Sequence, residues 1–158
     1  MPDMLVKLYD LPELAPFIDR CGAHGYKIKR ALMPEMDTLV NWVEQHFNAA
    51  WASECRGAFF NSPVSVFVAY NDKGIAGFAC YDTTCRDFFG PTGVKEDLRG
   101  KGLGAALLMS CLHAMAQIGY AYAIIGGAGP AEFYKKICSA VEIEGSVPGI
   151  YKDLLLDI

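Results

Sequence analysis

Val94-Lys95-Glu96-Asp97-Leu98-Arg99-Gly100-Lys101-Gly102-Leu103-Gly104-Ala105-Ala106-Leu107-Leu108 carries an apolar strand through a glycine-spaced turn directly into a long apolar helix. A helix leaves its first N–H groups without intrahelical partners, and its aligned peptide dipoles put partial positive charge at that end, so an anion is held well there. Glycines at 100, 102 and 104 remove side chains that would keep a diphosphate away and permit the backbone angles of a tight turn. Taken alone, the same spacing equally describes an ordinary tight loop with a helix cap. It lacks the Gly-Lys-Ser/Thr ending of a nucleotide-hydrolysing loop and a third glycine placed for a dinucleotide turn, so nucleotide hydrolysis and hydride transfer lose support.

From Gly102 onward, Leu103, Leu107, Ser110, Cys111, Ala114 and Ile118 form one stripe that Leu108, Leu112 and Met115 widen. Such breadth predicts a buried helix. Tyr120 to Gly126 is a continuous apolar run, which predicts a strand covered on both faces. With Phe88 to Val94 it makes a strand-helix-strand unit, hence a parallel pair with helix 102–118 as the right-handed crossover. Pro91 cannot donate to a ladder and marks an edge, a bulge or a splay within 88–94.

Upstream, Met4 to Leu8 and a helix from Leu11 to Cys21 read as a small strand and helix ahead of the main body, an extension over residues 1–25 of a single domain spanning 1–158. Tyr26 to Ala31 alternates as a half-buried strand near an edge. Pro34 opens a helix whose Met36, Leu39, Val40, Val43 and Phe47 share a face. Asn48 to Arg56 reads as a second, short helix with Trp51 and Glu54 on one side, either as core and solvated acid or as part of a site. Val64–Tyr70 and Ile75–Tyr81 flank Asn71-Asp72-Lys73-Gly74 as a hairpin. Downstream, Gly126-Gly127-Ala128-Gly129-Pro130 is a second glycine-rich turn leading into helix Ala131–Cys138, and Val141–Glu144 with Ile150–Leu156 reads as a terminal hairpin.

Composition narrows the function classes. At 158 residues one domain can remove roughly 70% of its unfolded surface from water. No apolar run approaches the roughly 20 residues of a membrane span, and no secretory pattern opens the chain, so a soluble cytoplasmic protein without a membrane partner is expected. The net charge of −4 argues against nucleic acid as a partner. Six cysteines without a Cys-x-x-Cys pair, mostly in apolar segments, are expected to be buried free thiols. Histidines 24, 46 and 113 are scattered, so no metal is expected. Lys95, Arg99 and Lys101 supply a local positive cluster beside the glycine turn.

Arg99-Gly100-Lys101-Gly102-Leu103-Gly104, preceded by strand residue Val94, matches the pattern Arg/Gln-x-x-Gly-x-Gly/Ala and resembles the GCN5-related N-acetyltransferase (GNAT) superfamily. The resemblance extends over most of the chain from about residue 26 and implies an α+β fold: a mixed, mostly antiparallel central sheet with one splayed parallel pair and flanking helices. It implies that acetyl-coenzyme A binds with its diphosphate at Arg99, Gly100, Lys101, Gly102, Leu103, Gly104 and Ala105 and its pantetheine arm along Thr92, Gly93 and Val94. It further implies an oxyanion donor in the Val94 N–H, a general acid in Tyr134, and an acceptor pocket near Trp51 and Glu54. The implied activity is acetyl transfer to a primary amine of a small molecule or peptide. The alternative is a non-catalytic acyl-coenzyme A sensor or interaction module, and a homodimer is compatible with either. Gly127 stands where many relatives carry asparagine, and Ser139-Ala140 where Gly-Phe is common. The base is left open between Glu54, Asp82 and a water chain.

Overall fold

Side chains alternate across a strand, so a sheet in mid-molecule needs an apolar residue at nearly every position. A computed structural model, which describes residues 1–157, has such a sheet. Its strands are β1 (Met4–Lys7), β2 (Lys27–Arg30), β3 (Val66–Asn71), β4 (Gly74–Tyr81), β5 (Phe88–Val94), β6 (Tyr122–Ile125) and β7 (Val141–Glu142). Its helices are α1 (Ala15–Ala23), α2 (Met36–His46), α3 (Ala49–Ala58), α4 (Leu103–Gln117) and α5 (Ala131–Cys138). The sheet order is β2-β3-β4-β5-β6-β1-β7, and among these pairings only β5–β6 is parallel. This is the mixed, mostly antiparallel α+β architecture expected.

β4 shows the two cores directly. Ala76, Ala79 and Tyr81 pack with α4 and with residues of α1 and α5, whereas Phe78 and Cys80 pack with α2 and α3. Helix α4 is the crossover between β5 and β6 and is buried from Leu103 through Met115 except at Gly104 and His113. Ile118, expected on its stripe, lies past the helix end and is exposed. The free thiols of Cys21, Cys55, Cys80, Cys111 and Cys138 are buried, as expected, and Cys85 is half-buried.

Pro91 acts as the chain predicts. The β4–β5 register shifts between Ala79 and Tyr81, opposite the Gly90-Pro91 step, because proline has no N–H for the ladder. β5 then pairs with β6 only at Phe88↔Ile124 and Phe89↔Ile125. Beyond Phe89 the two strands diverge.

Three expectations are corrected. β1 does not precede the main body: it lies between β6 and β7, with Met4 and Val6 fully buried, and α1 packs on α4. β6 is not covered on both faces along its length, since Tyr122 is exposed and meets the Tyr9 ring edge-on at 5.7 Å. The terminal hairpin is absent, because β7 pairs with β1 instead, and residues 149–151 and 155–157 form short 3₁₀ turns. Gly149 and Asp153 both take left-handed φ (61° and 59°), which bends the segment out of any extended run.

Phe47, at the end of α2, lies flat against β5 where Gly93 leaves room. A Cβ at Gly93 would come within 2.6 Å of Phe47 Cε1. Gly93→Ala should therefore cost about 1–3 kcal/mol by overpacking, and Phe47→Leu in the same chain should recover part of the loss. Urea titration of the two variants checks this, and a Gly93→Ala chain as stable as wild type would show that Phe47 moves freely.

Candidate active site

The turn into α4 is built from a short 3₁₀ segment, Glu96–Leu98, followed by Arg99 and Gly100. Gly102 is the helix N-cap at φ 79°, a conformation that L side chains adopt only at a cost. No side chain caps this end of α4, and the first intrahelical bond is Ala106 N–H to Gly102 O at 3.1 Å. The N–H groups of residues 103–105 are therefore left for another acceptor. Cys21 Sγ donates to Gly102 O at 3.3 Å, and Arg20 lies across the turn with its Cδ 2.9 Å from where a Gly102 Cβ would be.

A cavity of about 630 Å³ opens at this turn. Thr92, Gly93, Val94, Arg99, Gly100, Gly102, Leu103, Gly104 and Ala105 line it, and Lys101 does not. Its other cations are Arg20 from α1 and Lys136 from α5, neither of which the sequence pointed to. Lys95 lies outside it, beside Glu96 and Asp97. A Cβ at Gly104 would fit without a clash, in ordinary van der Waals contact 3.8 Å from Val94 Cγ2 and 3.9 Å from Phe133 Cζ. The cavity is thus a cradle of backbone donors and bare glycines beside guanidinium and ammonium groups, which fits a diphosphate.

The opening between β5 and β6 continues from it. Lys95 N–H donates to Ala76 O of β4 at 2.9 Å, and strand alternation then turns the backbone polar groups of Val94 and Thr92 away from β4. They face the gap where β6 has diverged, without a ladder on that side.

A second cavity, of about 350 Å³, lies on the other side of the gap. Phe89, Thr92, Gly129 and Tyr134 line both cavities. Trp51, Glu54, Thr84 and Tyr151 line only the second. Asn48 caps α3, accepting Trp51 N–H at 2.8 Å, and so fixes the helix that carries Trp51 and Glu54. Trp51 serves as core and wall together, since its ring lies 5.3 Å from Phe47 and 6.2 Å from Phe78. Glu54 is tied rather than free in solvent: Oε1 accepts from Thr84 Oγ1, and its backbone oxygen accepts from Thr83 Oγ1 at 2.6 Å. Tyr134 is buried, with Phe133 edge-on at 5.1 Å, and burial pushes its phenol up to about 12.

Asp82 does not reach this site. It accepts Asp87 N–H and Tyr120 O–H in a separate cavity with Ser65 and Arg86. At Gly127, where a relative's asparagine would stand, the backbone N–H is instead bound to Asp3 Oδ1 at 2.7 Å. Thr84 and Tyr151 escaped the sequence reading because each sits on an irregular segment without periodicity. Among the described residues no cluster of three or more His, Cys, Asp or Glu could hold a metal, and no helix is long and apolar enough to cross a membrane.

Comparison with known proteins points the same way. The family description "Acetyltransferase (GNAT) domain" matches residues 62–137, while no curated protein matches the sequence. Among solved structures, the GCN5-related glucosamine N-acetyltransferase region of a fungal multi-domain β-N-acetylglucosaminidase is similar with a TM-score of 0.73 at 14% identity, over 90% of this chain and 19% of that one. A GCN5-related N-acetyltransferase from Sphaerobacter thermophilus gives 0.69 at 16% identity, over 90% of this chain and 48% of that one. A GNAT acetyltransferase from Brucella melitensis, in complex with acetyl-CoA, gives 0.55 at 16% identity, over 72% of this chain and 81% of that one. This chain spans less than half the length of the first two, and identities at this level speak for the fold alone. The domain match runs from the β3–β4 hairpin through the glycine turn, α4 and Tyr134, and over that stretch the chain is similar to the GCN5-related N-acetyltransferases whose fold it shares.

Proposed function

We propose that this protein moves the acetyl group of acetyl-coenzyme A to a primary amine of a small molecule or peptide. The observation that carries the reading is the pair of cavities on either side of the β5–β6 gap, joined at Tyr134. One is built for an anion and a long arm, the other holds a carboxylate, and a buried phenol lies where they meet.

Each demand of the chemistry then falls to a group of this chain. The N–H groups of residues 103–105, with Arg20, Arg99 and Lys136, would hold the diphosphate of the thioester substrate. The unpaired backbone of Thr92 and Val94 would bind its arm as an added strand does, and the Val94 N–H would face the carbonyl oxygen as negative charge develops on it. Tyr134 would give its proton to the departing sulfur. A phenol at about 12 stays protonated at neutral pH, and the burial that raises it also raises the thiol that leaves beside it. Glu54 would take the proton of the incoming amine. The classes of acid and base are then separated by environment, a phenol in an apolar wall and a carboxylate anchored by threonine.

Substitution at Gly102 disturbs the turn itself, since φ is left-handed and Arg20 is in the way. Gly104 is the cleaner probe of the cradle. Gly104→Leu should fill the cavity and weaken acetyl-coenzyme A binding by roughly a hundredfold or more, about 2.7 kcal/mol, with little change in melting temperature. Calorimetry reads it, and unchanged affinity would place the diphosphate elsewhere.

Tyr134→Phe should lower kcat by roughly 10²–10⁴-fold with coenzyme affinity barely changed; unaltered turnover in the folded variant would remove Tyr134 from proton transfer. The same residue should show in stability. Its folded pKa lies above the ordinary tyrosine value of about 10, so the native state binds the extra proton and stability falls as pH rises from 10 through 12. Wild type should lose up to about 1.4 kcal/mol per pH unit more than Tyr134→Phe across that window, as read by denaturant titration at successive pH values.

A further inference from the structure

We infer that the acceptor is an arylalkylamine: a single ammonium on a short chain carrying a flat apolar ring, with Glu54 as counter-ion and Trp51 and Tyr151 as walls for the ring. This rests on the acetyltransferase reading above and narrows the substrate of that same site.

The cavity's chemistry is selective by what it contains. At about 350 Å³ it lies near the small end of ligand pockets. Among the described residues that line it, Glu54 carries the only charged side chain. Thr84 holds one carboxylate oxygen, Oε1, which orients the other for a ligand. Thr92, the next polar side chain, is already committed, donating its Oγ1 proton to Phe78 O at 3.1 Å. The side-chain hydroxyls left are the phenols of Tyr134 and Tyr151, each on a large apolar ring.

A second positive charge would thus be buried without a partner, which counts against polyamines. An amino sugar would bring several hydroxyls into a space that offers few acceptors, and each unmet hydrogen bond is costly. One ammonium and an aromatic body match the side chains that wall the cavity. The charge meets Glu54, and the ring meets Trp51, Phe89 and Tyr151.

Tyr151 is held firmly enough to shape such a wall. It ends the 3₁₀ turn Gly149–Tyr151, whose Tyr151 N–H donates to Pro148 O at 3.2 Å. Its hydroxyl rests on the backbone of Gly126, in space that any Cβ there would occupy, and its Cε2 lies 3.7 Å from where a Gly127 Cβ would be. Burial together with the nearby Asp3 and Glu54 carboxylates pushes this phenol up to about 12, which places ring and counter-ion in one site.

The transfer balances with these groups. The ammonium loses two protons as its nitrogen bonds to the carbonyl carbon and the carbon–sulfur bond breaks. One proton leaves through Glu54 to solvent. The other replaces the proton that Tyr134 gives to sulfur, so the phenol is restored and the coenzyme departs as thiol.

The test measures thiol release from acetyl-coenzyme A with 2-phenylethylamine, methylamine, glucosamine, spermidine and a short peptide with a free N-terminus, beside calorimetry of acetyl-coenzyme A alone. 2-Phenylethylamine should exceed the other four in kcat/KM by about tenfold or more. Glu54→Gln should raise its KM roughly 10–100-fold while leaving unchanged both the coenzyme affinity and the inhibition constant of neutral 2-phenylethanol. Tyr151→Ala should raise KM for 2-phenylethylamine and leave that for methylamine alone. If acetyl-coenzyme A binds and another amine is preferred, the arylalkylamine assignment is overturned and the acetyltransferase reading stands; if it binds and no amine releases thiol, both give way to the non-catalytic alternative. If acetyl-coenzyme A does not bind, the acetyltransferase reading itself fails.

Discussion

Beyond Phe89, β5 has a hydrogen-bonded neighbour on one side only, and this is the constraint to which the rest of the structure answers. Backbone N–H and C=O groups taken from water need partners, so a half-paired strand in the middle of a sheet must either collapse onto its neighbour or face something that supplies what the missing strand would. Pro91 prevents collapse, having no N–H to offer and forcing the register shift against β4. Helix α4 crosses over from the end of β5 to β6 and is buried along nearly its whole length, so the divergent strands are held apart by a rigid apolar body. The opening is therefore a property of the fold, present before any ligand arrives.

The elements that surround the opening come from all parts of the chain. Arg20 reaches the glycine turn from α1, Glu54 and Trp51 come from α3, Tyr134 and Lys136 from α5, and Tyr151 from a turn near the end of the described residues. The walls of the opening are fixed in part by contacts that have nothing to do with ligand: Cys21 Sγ on Gly102 O, Asn48 capping α3, Thr84 on Glu54, Asp3 on Gly127. Such supporting bonds limit how far a functional side chain can drift from its working position.

What could be read from sequence was what repeats or what is stereochemically compelled. The period of 3.6 in α2 and α4, the turn residues Asn71-Asp72-Lys73-Gly74 between β3 and β4, and the glycine spacing before Leu103 all located elements within a residue or two. Pro91 limited what 88–94 could do to an edge, a bulge or a splay, because proline can break a ladder in few ways. The failures share a cause. Whether β1 lies outside or inside the sheet depends on which distant strand has a free edge, and no local pattern in Met4–Lys7 contains that information. The apolar residues of 150–156 suggested a strand, but left-handed turns at Gly149 and Asp153 decided otherwise. Likewise a lone arginine in α1 or a tyrosine in a 3₁₀ turn becomes part of a site only through packing, so Arg20 and Tyr151 had no signal to give, whereas Tyr134 stood at a fixed distance from a motif.

The position of β1 between β6 and β7 also has a consequence in time. Met4 pairs with Ile125 and with Glu142, so β1 leaves the ribosome long before either strand it pairs with. Closing a loop of that length is slow relative to hairpin formation, and β2, β3, β4 and β5 can zip together in sequence order while β1 waits. During that interval Met4 and Val6, fully buried in the finished protein, are exposed apolar side chains on an unpaired strand, the kind of segment on which chaperones act. β1 thus spends the interval before β6 and β7 are made as an apolar strand without a partner.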